Sequence, residues 1–479
     1  MDLVKINSAQ KSRIALIIFF FLCLPFQNAS ATTAFSRQTG EPCSTCHMQA
    51  YGPWLTPSGQ KFKLDGYVAG NASDVPDLLN NFALEVIGSV TNTQNDIPPK
   101  TLNPGQYSAN NNAVNDWTAL YYTGRVTNKI GSYLQLNLSP QVGNSVSLAM
   151  ADIRYANHAT YKGNQITYGI TVNNSPTMSD FWMTSYAWMY PYTQSSVTVK
   201  PAAQPWLQSL MAGANTAGAT AYTMINNHLY LEGGAYTSQP QNVAQGLGVW
   251  NAGSLNPGPQ GGQIQGAAPY WRVFLQHNTG PHNMMIGTYG LLAKVTPFYT
   301  SGFGTDTYEE YNFDANYSYM LDSDNMLMAM AKYTYDSMQM SASNGMGYAN
   351  NTSNYLNSVM VMGMWTYKQT YNLAVGWNNI SGSSDLALYN GASAYAGGGA
   401  INPITGSNNG SPNTNSFLFE LDYVPFGKAS YKTDPYINLR LSMQYWVYTQ
   451  FNGSTYNYDG AGRNADANNT LYFVGNLMF

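Results

Sequence analysis

From about Phe82 to Phe479, apolar and polar side chains alternate in short runs, the period of two that gives a strand one greasy and one wet face. Leu134, Leu136 and Leu138 interleave with Tyr133, Gln135 and Asn137, and Ile166, Tyr168, Ile170 and Val172 with Thr167, Gly169, Thr171 and Asn173. Tyr311, Phe313, Ala315, Tyr317 and Tyr319 alternate with Asn312, Asp314, Asn316 and Ser318. Phe417, Phe419, Leu421 and Tyr423 alternate with Leu418, Glu420 and Asp422, and Leu471, Phe473, Gly475, Leu477 and Phe479 share a face at the C-terminus. A soluble sandwich would show the same alternation. The long polar connections favour an all-β transmembrane antiparallel barrel of about 16 strands.

Connection lengths fix its direction. Thr127–Gly131, Asp322–Asn325, Tyr367–Thr370 and Phe426–Pro435 are short, whereas Asn92–Val114, Asn174–Gly218, Thr237–Ala267, Ser337–Ser353, Asn379–Ser416 and Phe451–Asn468 are long. With short turns in the periplasm, Phe479 ends on the periplasmic side, as an even strand count requires. A final alternating strand closing on Phe resembles the assembly signal of outer-membrane barrels. Asn174–Gly218 carries Trp182, Trp188 and Trp206; it reads equally well as an inward constriction or an external loop.

Composition agrees. Charged residues are 9% of the chain against ~25% in ordinary soluble domains, and the 38 Tyr and 10 Trp suit aromatic girdles at a lipid boundary. A net charge of −4 gives no footprint for nucleic acid. Lys5, Lys11 and Arg13 precede an apolar run, Ile14–Phe26, followed by Ala29-Ser30-Ala31. That pattern is an export leader over residues 1–31, too short to span a bilayer.

Removing the leader, with Cys23, leaves only Cys43 and Cys46, both within Cys43-Ser44-Thr45-Cys46-His47. Two thiols at this spacing, followed by an imidazole, form the attachment signature of haem c, with His47 as the proximal iron ligand. A zinc site would need a second ligand pair. Residues 32–81 therefore form a small haem-binding segment, mostly helical or irregular, at the periplasmic mouth or inside the lumen, ahead of a barrel over 82–479.

The sixth ligand is less evident. Met48 is too close to His47 to reach the opposite haem face, leaving Lys61, Lys63, water or the barrel. Met326, Met328 and Met330 share parity with Lys332, and Met360, Met362 and Met364 with Lys368; both sets predict a lumenal methionine patch and six candidate distal ligands, since thioether ligation raises haem potential. His228, sharing parity with Tyr230 and Glu232, is the imidazole rival. Asp152, Glu232, Asp314, Glu420 and Asp422 are predicted lumenal carboxyls able to guide cations near neutral pH, facing Arg125, Arg154, Arg272 and Arg440.

Ala34-Phe35-Ser36-Arg37-Gln38-Thr39-Gly40, then Leu55, Gly59, Phe62-Lys63 and Gly66-Tyr67 around the CxxCH run, resemble the outer-membrane monohaem cytochrome c-porin fusion family of iron-oxidising bacteria. Motif resemblance is confined to Phe35–Tyr67; the rest is shared architecture. The resemblance implies a porin-like barrel with one covalent haem at Cys43, Cys46 and His47. It also implies electron flow from extracellular Fe(II) to a periplasmic c-type cytochrome or copper carrier, an iron:cytochrome c oxidoreductase in the Gram-negative outer membrane. The oligomeric state is left open by the residues, a trimer being one reading. Sparse charge suits an acid exterior, where paired carboxylates lose their stabilising role. The alternatives are a diffusion porin with a haem-bearing plug, in which the arginines and carboxyls form a transverse field, and a haem peroxidase with an open sixth position.

Overall fold

The computed structural model describes residues 33–70, 78–97, 107–139, 145–184, 193–205, 216–248, 262–297, 300–390, 404–426 and 437–479. The leader, Trp188, Trp206 and most of Phe426–Pro435 lie outside the described residues.

Seventeen strands form one antiparallel sheet. In chain order they are β1 Phe82–Thr93, β2 Asn112–Arg125, β3 Ile130–Ser139, β4 Ser145–Tyr161, β5 Asn164–Asn173, β6 Thr216–Ile225, β7 Leu229–Ser238, β8 Gly262–Ile264 and β9 Ala268–Thr279. Then come β10 His282–Pro297, β11 Asp306–Met320, β12 Asn325–Gln339, β13 Ser353–Tyr367, β14 Tyr371–Gly382, β15 Thr414–Tyr423, β16 Asn438–Gln450 and β17 Thr470–Met478. β17 closes on β1, with Glu85 opposite Met478 and Thr93 opposite Thr470. β8 only extends the ladder at the end of β10, so the closed ring has 16 strands, and closure leaves no unpaired edge.

The faces are sorted as the alternation predicts. Leu136, Ile170, Val172, Phe313, Phe419 and Leu421 point outward and are exposed, while Gln135, Thr171, Asp314, Glu420 and Asp422 point inward and are buried. An apolar exterior around a polar interior is a lipid-facing barrel. Among the described residues no helix is long and apolar enough to cross a membrane.

Tight turns of two or three residues serve one end. Lys162-Gly163 and Lys368-Gln369 both have positive φ, at 49° and 81° and at 53° and 52°, the twist that joins adjacent antiparallel strands without splaying them. The N-terminal segment occupies this short-turn end as α1 Thr33–Thr39, α2 Cys43–Cys46 and α3 Pro57–Leu64, and a 3-10 turn at Leu78–Asn81 leads into β1.

The connection from β5 to β6 folds inward. At one side Trp182 Nε1 donates to Gln276 Oε1 of β9 at 2.9 Å. At the opposite side Gln444 of β16 donates to the Thr193 carbonyl at 2.8 Å, Ser195 meets Thr91 of β1 at 2.6 Å, and Ser196 donates to Asp116 of β2 at 2.7 Å. The described parts of this connection thus traverse the lumen, resolving the two readings of Asn174–Gly218 toward a constriction.

Candidate functional site

α2 is a single turn, opened by Pro42 and closed where the His47 amide donates to the Cys43 carbonyl at 2.8 Å. His47 then adopts extended backbone (φ −115°, ψ 140°) and pairs with Leu55. The Thr56 amide returns to the Cys46 carbonyl at 3.0 Å, and its hydroxyl caps α3 by accepting the Gly59 amide at 3.3 Å. Pro57 sits at the first helical position, where a missing amide hydrogen costs nothing. Gly59 lies so close to the Cys46 carbonyl that a Cβ there would overlap it, so glycine lets α3 back directly onto the motif.

The barrel grips this unit from several strands. Gln369, in the β13–β14 turn, donates to both the Ser44 and His47 carbonyls at 2.8 Å, which explains a left-handed non-glycine pair in that turn. Asn438 of β16 donates to the Ala50 carbonyl at 2.9 Å, and Gln49 donates to Asp422 of β15 at 2.7 Å. Tyr51 donates to Glu85 of β1. Tyr67 donates to Asp152 of β4 at 2.8 Å, and Tyr222 of β6 to the Leu64 carbonyl at 2.8 Å.

Cys43, Cys46 and His47 converge on one mainly apolar cavity, lined also by Phe35, Tyr51, Leu55, Phe62, Tyr67, Tyr121 and Tyr133. The space between atoms is about 1040 Å³, part of it open to solvent. The two thiols form no disulfide with each other. Burial, then the nearby Glu41 carboxylate, push the Cys46 thiol up to about 11. Burial pulls the His47 imidazole down to about 4, opposed in part by the Gly52 backbone, and Nδ1 is buried without a hydrogen-bond partner. Two thiols and an imidazole facing one apolar, aromatic-walled cavity are the donor set that a covalently held haem uses, so these residues fit it.

The distal candidates need correction. Met328, Met330, Met360, Met362 and Met364 are buried and lumenal, with Met326 packed beside them, but none lines this cavity. They pack on Met48 and Trp54, which occupy the ground between the patch and the motif. His228 is no lumenal ligand: it lies exposed just before β7, its ring stacked on His277 at 5.5 Å. The strand parity that included it ends one residue later, at Leu229. Lys61 points outward, its side chain 69% exposed and paired with Asp65. The cavity does contain Lys63, Met178, Met183 and Met478, the first two methionines lying where strand periodicity could not reveal them. These two arrive on the inward connection, and Met478 sits at the last register position of β17.

The lumenal charges also differ from expectation. Arg154 is fully buried, binding Asp152 at 2.8 Å and donating to the Lys63 and Met178 carbonyls at 3.2 and 3.0 Å. Arg272 binds Asp314 at 2.8 Å and donates to Thr184 at 3.0 Å, with Asp180 at 3.7 Å. Arg440 pairs with Glu420 and, at 3.0 Å, Asp422. Glu232 accepts from Thr220 and Tyr230. Arg154 and Arg272 thereby fasten the interior segments to the wall, while Arg440 and Glu232 are held by neighbouring strands. Among the described residues no group of three His, Cys, Asp or Glu could hold a metal ion.

No protein-family model and no curated protein matches the sequence. Among solved structures, the chain is similar to OmpT of Vibrio cholerae in its trimer form, at 9% identity and a TM-score of 0.41, covering 83% of this chain and 98% of that one. It is similar to an anion-selective porin from Comamonas acidovorans (11%, TM-score 0.40, 83% and 98%) and to the outer membrane channel DcaP of Acinetobacter baumannii (12%, TM-score 0.42, 83% and 96%).

Proposed function

We propose that the protein is an outer-membrane electron conduit, in which extracellular Fe(II) is oxidised to Fe(III) and the electron passes to a periplasmic c-type cytochrome or copper carrier. A haem c attached at Cys43 and Cys46 supplies the one-electron chemistry between them. The observation that carries this reading is the convergence of both thiols and the His47 imidazole on one cavity at the short-turn end. Each part of the chain has a task in it. The α2 turn presents both sulfurs, burial keeps His47 neutral and able to ligate, and Gln369 and Asn438 hold the motif at the periplasmic mouth. The inward connection excludes water from above. Fe(II) as donor comes from the resemblance of Phe35–Tyr67 to the cytochrome–porin fusions.

The competing diffusion porin draws support from the barrel class, but the paired arginines favour electrons over solutes. Anaerobic addition of Fe(II) at acid pH to the purified protein is expected to raise the reduced-haem α band. A band that appears with dithionite but not with Fe(II) removes iron oxidation; single-channel conductance that follows redox state would install the porin reading instead.

A further inference from the structure

The inward connection is held most firmly where it passes the cavity. Asp180 brackets a short turn, its Oδ1 accepting the Trp182 amide at 3.0 Å and its Oδ2 accepting the Thr184 amide at 2.9 Å and hydroxyl at 3.1 Å. Lys63 Nζ of α3 donates to the Asp180 carbonyl at 2.8 Å. From the wall, Arg272 donates to Thr184 at 3.0 Å, and Trp182 donates to Gln276 at 2.9 Å. At the centre of these clamps, Met183 has φ 58°, the left-handed region that a side chain such as methionine seldom enters. Backbone held there by over-determined surroundings is characteristic of ligand clamps. Met183 is 6% exposed, packs with Met48, Trp54 and Leu55, and lines the cavity with Cys43, Cys46 and His47.

We propose that the Met183 thioether is the second axial ligand of the iron in a haem held by Cys43, Cys46 and His47. This rests on the haem reading above and adds the ligand to it. The other cavity residues are otherwise engaged. Met478 clusters with Cys43, Ala50 and Tyr51 along the thiol edge. Met178 also lines the cavity, its backbone carbonyl held by Arg154, and the Met178→Leu variant below separates it from Met183. The Lys63 amine is spent on the Asp180 carbonyl. A thioether also suits the setting chemically: it carries no titrating proton, so acid does not compete with iron for it, and it raises the potential toward that of a weak reductant such as aqueous Fe(II).

The test uses the full-length protein in detergent. Covalent haem is established first, by the pyridine haemochrome of denatured protein; its absence overturns the haem reading and the ligand with it. With haem attached, ferric wild type is expected to show the near-infrared charge-transfer band of thioether ligation, and the ferrous form a strongly upfield-shifted methionine methyl resonance. Met183→Leu is expected to lose both signals and convert low-spin iron to high-spin while keeping the haem. Met183→His, which guards against misfolding of the leucine variant, is expected to stay low-spin without the band and to lower the potential. Met178→Leu and Met478→Leu are expected to retain every signal. Attached haem without the band in wild type, or a band that survives Met183→Leu or Met183→His, overturns the assignment while leaving the haem reading standing.

Discussion

Two groups of methionines look into the same barrel and meet in one cluster at Met183, yet only one group reaches the cavity. Met328 and Met330 stand on β12 in register with Met364 and Met362 on β13, a regular patch packed on Met48 and Trp54. Met178 and Met183 come from an irregular turn pinned by Arg154, Arg272 and Lys63, and they alone of these reach the cavity beside His47. Strand parity decides which face a side chain occupies; it says nothing of what lies in front of that face. Wall positions are fixed in height and radius, so a wall thioether is spectator or ligand according to what fills the centre. A connection crossing the lumen has no such limit.

The largest test of this contrast removes a clamp. Arg272→Ala leaves Asp314 and Asp180 buried without their cation, a change expected to cost about 3–5 kcal/mol, read as a lower denaturation midpoint in detergent. An unchanged midpoint would mean that the clamps do not hold the turn. Next comes acid. In protein lacking both motif thiols through Cys43→Ala and Cys46→Ala, His47 takes up a proton near pH 6.5 when unfolded but only at about 4 when folded. The unfolded state binds more protons in that window, so stability should fall as pH drops from 6.5 to 4, by about 3 kcal/mol, then level off. Iron on the imidazole competes with the proton, so wild type carrying haem should resist to lower pH; identical pH profiles for the two proteins would argue against iron at His47.

Gly59→Ala should push α3 from the Cys46 carbonyl, costing about 1–3 kcal/mol by overpacking and lowering the haem-loaded fraction, whereas Ser58→Ala, on the exposed side of the same helix, should stay within about 0.5 kcal/mol. Smallest of all, Met328→Leu and Met362→Leu should each cost less than about 1.5 kcal/mol and leave the haem spectrum unchanged. A spectral change there would return the wall patch to the iron.

The contrast also explains what could be read from the residues alone. Barrel class, strand number and the inward face of Asp152, Arg154, Asp314, Glu420 and the six wall methionines follow from a period of two, because a closed lipid-facing sheet imposes that period on every strand. The CxxCH run marked three residues that line one cavity because its spacing is local. Met183 was not legible: its position depends on Asp180, Arg272 and Gln276, partners far apart in the chain or set by tertiary contact, and its backbone angle has no signature in residue type. His228 misled because parity was extended through a residue that precedes its strand. The arginines were placed on the correct face, but their partners on α3 and the inward connection were not legible, since a strand's pattern does not reveal what crosses the lumen.

The seat of the motif draws on both ends of the chain, with Tyr51 on Glu85 of the first strand, Ala50 under Asn438 of the penultimate one and Met478 of the last strand bordering Cys43. Such a seat comes into being only when the seam between β1 and β17 shuts. Before that moment the two sulfurs are open to any machinery that modifies them; afterwards Cys43 is only 7% accessible. Closing the seam thus withdraws Cys43 from solvent, so a modifying enzyme should reach that thiol more readily in the open barrel than in the closed one.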